Sequence, residues 1–156
     1  MMETAEFIRS LEDARPSVFR VAEWINRGSS VVPSRTVIIP ALDYFAGTDD
    51  GDLFVQDKIG VRLKVEVKHK KNDYFTCADD FNFSDMIVSN VNTVRRQWGT
   101  VIAYVIVNTP MTHAAVILFE HQDKWTTKSI YAKNTKKVEQ FFLCPKEHAI
   151  FVKITG

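Results

Sequence analysis

From Val61 to Lys68 the chain alternates apolar and charged residues without a break: Val61, Leu63, Val65 and Val67 against Arg62, Lys64, Glu66 and Lys68. A period of two is that of a β-strand with one face in a core. A helix would not hold the charged set together, because residues two apart do not share a helical face. The β-branched content adds to the strand reading. The segment predicts a strand that carries Glu66 and Lys68 on one face, about 7 Å apart along the backbone.

The flanking sequence extends this pattern. Asp52 stands directly before Leu53-Phe54-Val55-Gln56, a second predicted strand, and Asp57–Gly60 is short enough to close a hairpin into the third. Thr36–Ala41 reads as the first strand, and Gly47–Gly51 as a turn in which Asp49 and Asp50 supply turn chemistry. Upstream, Thr4–Ala14 is predicted as a short amphipathic helix. A second helix follows Pro16, with Ser17 as N-cap, Gly28 as its stop and Val18, Val21, Ala22 and Ile25 as its apolar stripe. Glu23 and Trp24 lie on this helix. Residues 69–82 form a polar and aromatic connection. A helix is expected from Ser84 to about Gln97, ended by Gly99. Thr100–Val107 is apolar enough for a strand buried on both faces. Ala114–Glu120, Trp125–Tyr131 and Ala149–Ile154 read as further strands, and Thr135–Phe142 as a short helix.

With 156 residues and no linker, repeat or low-complexity tract, residues 1–156 are expected to form a single domain. The net charge of +1 gives no general attraction to nucleic acid, so any such contact must be local. Lys68-His69-Lys70-Lys71, Arg95-Arg96 and Lys136-Lys137 are the local basic clusters. Cys77 and Cys144 form no CxxC pair and are expected as reduced thiols. His69, His113, His121 and His148 have no zinc-type spacing with either. No phosphate-binding glycine loop and no nucleophile elbow occurs. Met1–Ser10 holds acidic residues and no apolar block, and no apolar run approaches the ~20 residues needed to cross a bilayer. The chain is therefore expected to be intracellular, cytoplasmic or nucleoid-associated, without a membrane partner.

Asp52, then Glu66-Val67-Lys68 on the next strand, resembles the motif of the PD-(D/E)XK nuclease superfamily, with Gly51 where that name has proline. An isolated E-x-K is common, on the order of one in every second chain of this length, so the strand context carries the resemblance. It covers roughly residues 17–107. It implies an α/β, restriction-endonuclease-like fold: an αβββαβ core with a central mixed β-sheet flanked by helices, plus strand and helix additions at the C-terminal end.

The resemblance also implies a chemistry. Asp52, Glu66 and the backbone carbonyl of Val67 would bind Mg²⁺ or Mn²⁺, with Glu23 as a further carboxylate, since several branches carry one on the first helix. Hard cations of this kind take oxygen ligands, often one or two carboxylates with water and substrate oxygens. Lys68 would orient the attacking water or stabilise developing charge. Asp49 or Asp50 replaces Asp52 if the strand register differs. Gln97 matches a helical glutamine found near the site in some relatives. Lys70, Lys71, Arg95 and Arg96 are candidates for phosphate contacts, and Trp98, Tyr74 and Phe75 for stacking on bases. The implied function is a metal-dependent nuclease acting on DNA, an endonuclease that is structure-selective or non-specific, with RNA an open alternative and a homodimer expected by analogy. The alternative is a non-catalytic nucleic-acid or protein interaction module on the same fold.

Overall fold

The computed structural model describes residues 16–28, 36–38, 53–56, 60, 62–133 and 135–155, with the backbone alone at 36–38, 54, 56 and 62. The expected helix over Thr4–Ala14, the turn over Gly47–Gly51 and the acids Asp49, Asp50 and Asp52 lie outside the described residues.

Helix α1 spans residues 16–26. Ser17, expected as the N-cap, instead lies inside the helix and is 0% exposed. Gly28 closes the helix with φ +95° and donates its N–H to the Ile25 carbonyl at 3.0 Å. Val18, Val21, Ala22 and Ile25 are all buried, as their spacing predicts.

The strands are β1 (Thr36–Ile38), β2 (Leu53–Gln56), β3 (Arg62–His69), β4 (Asp85–Asn90), β5 (Val101–Val107), β6 (His113–Leu118), β7 (Thr126–Ala132), β8 (Lys137–Pro145) and β9 (Ile150–Lys153). A short helix, α2 (Val91–Arg96), stands between β4 and β5. Six strands form a mixed sheet in the order β1-β2-β3-β5-β6-β9. Within it β3 and β5 run parallel and the other neighbours antiparallel. The protein is thus α/β with a mixed sheet. The other three strands form a separate antiparallel sheet, β4-β8-β7. No helix among the described residues is long and apolar enough to cross a membrane.

Two cores lie on opposite faces of the large sheet. On one face α1 covers Leu53, Val55, Val65, Val67, Ala103, Val105 and Val107. On the other, the small sheet and α2 cover Val101, Tyr104, Ile106, Ala115 and Ile117 through Met86, Val88, Val94, Trp125 and Cys144. Strand β5 is central and contributes to both cores, which accounts for its unbroken apolar run.

Two expected helices are strands instead. The helix expected over residues 84–97 is strand β4 followed by the six-residue α2. Met86 and Val88 are buried while Ile87 is exposed, a period of two, and β8 supplies the partner edge. Asn90 caps α2 by accepting from the Asn92 N–H at 2.8 Å. The helix expected over Thr135–Phe142 is strand β8, because Lys136 takes φ 57° in the turn that folds β8 back on β7. The second face of the large sheet is therefore covered mainly by strands rather than by helices.

Candidate functional site

Backbone hydrogen bonds extend the pairing of β3 with β5 at both ends: Lys64 N–H to the Thr100 carbonyl at 2.8 Å, and Lys70 N–H to the Val107 carbonyl at 2.9 Å. Its apolar residues Val65 and Val67 are buried under α1. Alternation sends Lys64, Glu66 and Lys68 to the face shared with α2, where each is half-buried. The parallel register sets Glu66 beside Tyr104 and Lys68 beside Ile106.

Gln97 comes to Glu66 from the end of α2. Val94 anchors the helix in the core. The Gln97 N–H bonds the carbonyls of Thr93 and Val94 at 3.3 and 3.1 Å, and Gly99, with φ +82°, turns the chain toward β5. The Gln97 Nε2 then donates to Glu66 Oε1 at 2.8 Å. An amide on a half-buried carboxylate fixes its rotamer through a charge-assisted bond.

Two further polar atoms are buried here without a hydrogen-bond partner among the described residues: Gln97 Oε1 and the Tyr104 hydroxyl. Tyr104 is 1% exposed. Burial lifts its phenol pKa well above the ordinary tyrosine range, and the negative charge of Glu66 lifts it further. The phenol stays neutral and remains a donor at any physiological pH. The carboxylate thus accepts from the Gln97 amide beside one buried acceptor and one buried donor that have no partner among the described residues.

Of the sequence-predicted residues, Glu66 and Lys68 share a face and Gln97 joins them. Val67 lies between them in the chain, its side chain in the opposite core. Asp52 is outside the described residues; its chain neighbour Leu53 pairs with Val65, the chain neighbour of Glu66. Glu23 is separated from this face. It sits on α1, across the sheet, with its side chain 65% exposed and 3.6 Å from Arg27. Arg95 and Arg96 are exposed in the last turn of α2, whereas Lys70 and Lys71 follow the end of β3. Trp98 and Tyr74 are exposed, and Trp98 rests edge-on against Phe119 at 4.8 Å. Phe75 is a core residue in edge contact with Phe81 and Phe151, the packing role that its sequence context favours over stacking.

The donor set suits a hard cation better than zinc. Glu66 offers a carboxylate and Gln97 an amide oxygen, while His69 and His113 are engaged with Thr109 and Thr112. No group of three or more His, Cys, Asp or Glu gathers among the described residues, so a cation here would rest on Glu66 with water and substrate oxygens, or with an acid outside them. Tyr104 was not singled out by sequence reasoning. Its one signal was a tyrosine in an otherwise aliphatic strand, and its role needed the β3–β5 register. Compared with known proteins, the chain matches no family model, no curated protein and no solved structure.

Proposed function

We propose that this protein is a metal-dependent DNA nuclease of the PD-(D/E)XK type, hydrolysing phosphodiester bonds as an endonuclease. The observation that carries the reading is Glu66 and Lys68 side by side on β3, with the Gln97 amide from α2 on the Glu66 carboxylate. The element order also supports it: α1, β1, β2, β3, α2 and β5 follow αβββαβ, with β4 inserted and paired into the second sheet. The pairing of Leu53 with Val65 fits it as well, since Asp52 precedes the one in the chain and Glu66 follows the other.

In this reading Glu66 and Asp52 hold Mg²⁺ or Mn²⁺. Such an ion polarises a phosphate and makes its bound water more acidic. The Lys68 ammonium orients the water that attacks phosphorus and offsets the charge that develops on the phosphate oxygens. Gln97 keeps the Glu66 carboxylate in one rotamer. Cutting both strands of a duplex would call for a second copy of the chain.

The test is incubation of the protein with single-stranded, duplex and branched DNA in Mg²⁺ or Mn²⁺. Glu66→Gln and Lys68→Ala should each lower cleavage by about 10²-fold or more. Folded protein that cuts none of these substrates would sink the enzyme reading. Calorimetric titration that shows DNA binding but no Mn²⁺ binding would point to the non-catalytic module instead.

A further inference from the structure

The outward face of the β4-β8-β7 sheet holds a second polar and aromatic site. Met86, Val88 and Cys144 face the core, so Asp85 and Ile87 of β4 project outward. Lys128 and Ile130 of β7 share this face, and with Lys70 and Phe83 they line a cleft of ≈ 290 Å³. We propose that this cleft binds single-stranded nucleic acid through one unpaired, amino-bearing base.

Phe83 is 68% exposed, yet its ring is not loose. It packs edge-on against buried Phe81, with centroids 6.0 Å apart and planes at 64°. Phe81 is fixed in turn by Phe75, and its carbonyl accepts from Lys146 Nζ at 3.3 Å. An exposed ring already packed against a buried neighbour offers a stacking surface that loses little entropy on binding.

The charges select the ligand. Neither Lys70 nor Lys128 is in an ion pair among the described residues. Asp85, in the same cleft, accepts a long 3.3 Å hydrogen bond from Ser84 Oγ. An acidic peptide would meet the lysines and be repelled by Asp85. An apolar peptide would strip water from two cations and return nothing. A nucleotide of cytosine or adenine answers every group: phosphates to the lysines, the base plane on Phe83, and the exocyclic amine to the Asp85 carboxylate. The cleft has room for one base, not for a duplex.

The cleft is continuous with β3. Lys70 prolongs the β3 ladder through its bond to Val107, about 13 Å along the chain from Glu66. Lys70 thus joins the cleft to the strand that carries Glu66. The link to cleavage rests on the nuclease reading; the binding does not.

The experiment is fluorescence anisotropy with labelled dC and dT 12-mers and full-length protein in EDTA, where no metal-dependent cleavage intervenes. Thermal melts check that each variant is folded. The dC oligomer should bind more tightly than dT, and Asp85→Asn should remove that difference. Phe83→Ala should weaken dC binding about tenfold. Lys128→Gln should weaken it and reduce the slope of log K against log salt by about 0.7. Wild-type affinity and salt slope in both Phe83→Ala and Lys128→Gln would overturn the proposal, as would an acidic peptide that competes at lower concentration than dC. Phe83-dependent binding by a protein that cuts nothing would leave the site standing and remove the nuclease. Cleavage by a protein whose binding ignores Phe83 would do the reverse.

Discussion

Replacing Tyr104 by phenylalanine removes one oxygen from the recess beside Glu66 and leaves the ring in place. That oxygen is buried with no hydrogen-bond partner among the described residues. Burying a hydroxyl without compensation costs about 1–3 kcal/mol in protein mutational data. The ring still fills its site, so the void left is the size of one atom and offsets only part of the gain. Tyr104→Phe should therefore stabilise the protein by about 1 kcal/mol, a rise in Tm of roughly 2–4 °C for a chain of this size. Urea denaturation at pH 7 measures it. A second consequence concerns pH. The folded-state pKa of Tyr104 is raised by burial first and by Glu66 second, so the phenol loses its proton more easily in the unfolded chain. The stability it contributes is complete below the unfolded value of about 10 and falls by about 1.4 kcal/mol per pH unit above it. The advantage of Tyr104→Phe should grow at that rate from pH 10 upward, while any contribution from Cys144 cancels between the two proteins. A loss of more than about 1 kcal/mol at pH 7 would refute the reasoning, since it would mean the hydroxyl has a partner in solution. An advantage that stayed constant from pH 9.5 to 11 would refute the account of its pKa.

Gln97→Leu gives up the bond to Glu66 but also removes the unpartnered Oε1. Stability should change by less than about 1 kcal/mol; under the proposed nuclease function cleavage should fall about tenfold, and unchanged cleavage would remove Gln97 from the site. Thiol titration should modify exposed Cys77 rapidly in the native protein and reach Cys144 only on unfolding. Burial first, then Asp85 and Glu147, push the Cys144 thiol up to about 11, so the stability it contributes is lost as pH rises from about 8.5 toward that value. Asp80 accepts from the Thr76 hydroxyl at 2.6 Å and from the N–H groups of Thr76 and Cys77, which lowers its pKa to about 2. What it adds to stability is present above the ordinary carboxylate value and lost as pH falls through about 2, and Asp80→Ala should speed amide exchange at Thr76 and Cys77 at pH 7. Gly60→Ala meets no atom within 4 Å but must adopt φ +88°, so a cost of about 1 kcal/mol in urea denaturation is expected from the backbone alone.

Elements whose information is local were legible in the sequence. Leu53–Gln56 is the strand that its apolar run predicts, and the alternation of residues 61–68 sits one residue from the observed β3. The stripe on α1 and the doubly buried β5 were legible for the same reason: burial on one face or two leaves a period, or the lack of one. Strands β4 and β8 were not legible. Asp85–Asn90 is a strand because β8 lies beside it, and β8 is a strand because Lys136 turns it back onto β7. The β4–β8 pairing joins residues far apart in the chain, the β7–β8 hairpin depends on the left-handed backbone of a single lysine, and short apolar runs without such support read equally well as helix.

The same division runs through the candidate site. The amino-acid sequence by itself put Glu66 and Lys68 on one face of a strand, because alternation is a property of the chain and needs no neighbour. It also paired them with an acid, Asp52, by motif. Only tertiary structure chose what stands around Glu66. Gln97 reaches it because α2 is anchored by Val94 and turned by Gly99. Tyr104 reaches it because β3 and β5 pair in parallel at one register. Tertiary structure also set Glu23 on the far side of the sheet and gathered Lys70, Phe83, Asp85 and Lys128 around one cleft. Hydrogen bonds and buried charges act over a few ångströms in space, and the residues they join here lie 31, 38 and up to 58 positions apart in the chain.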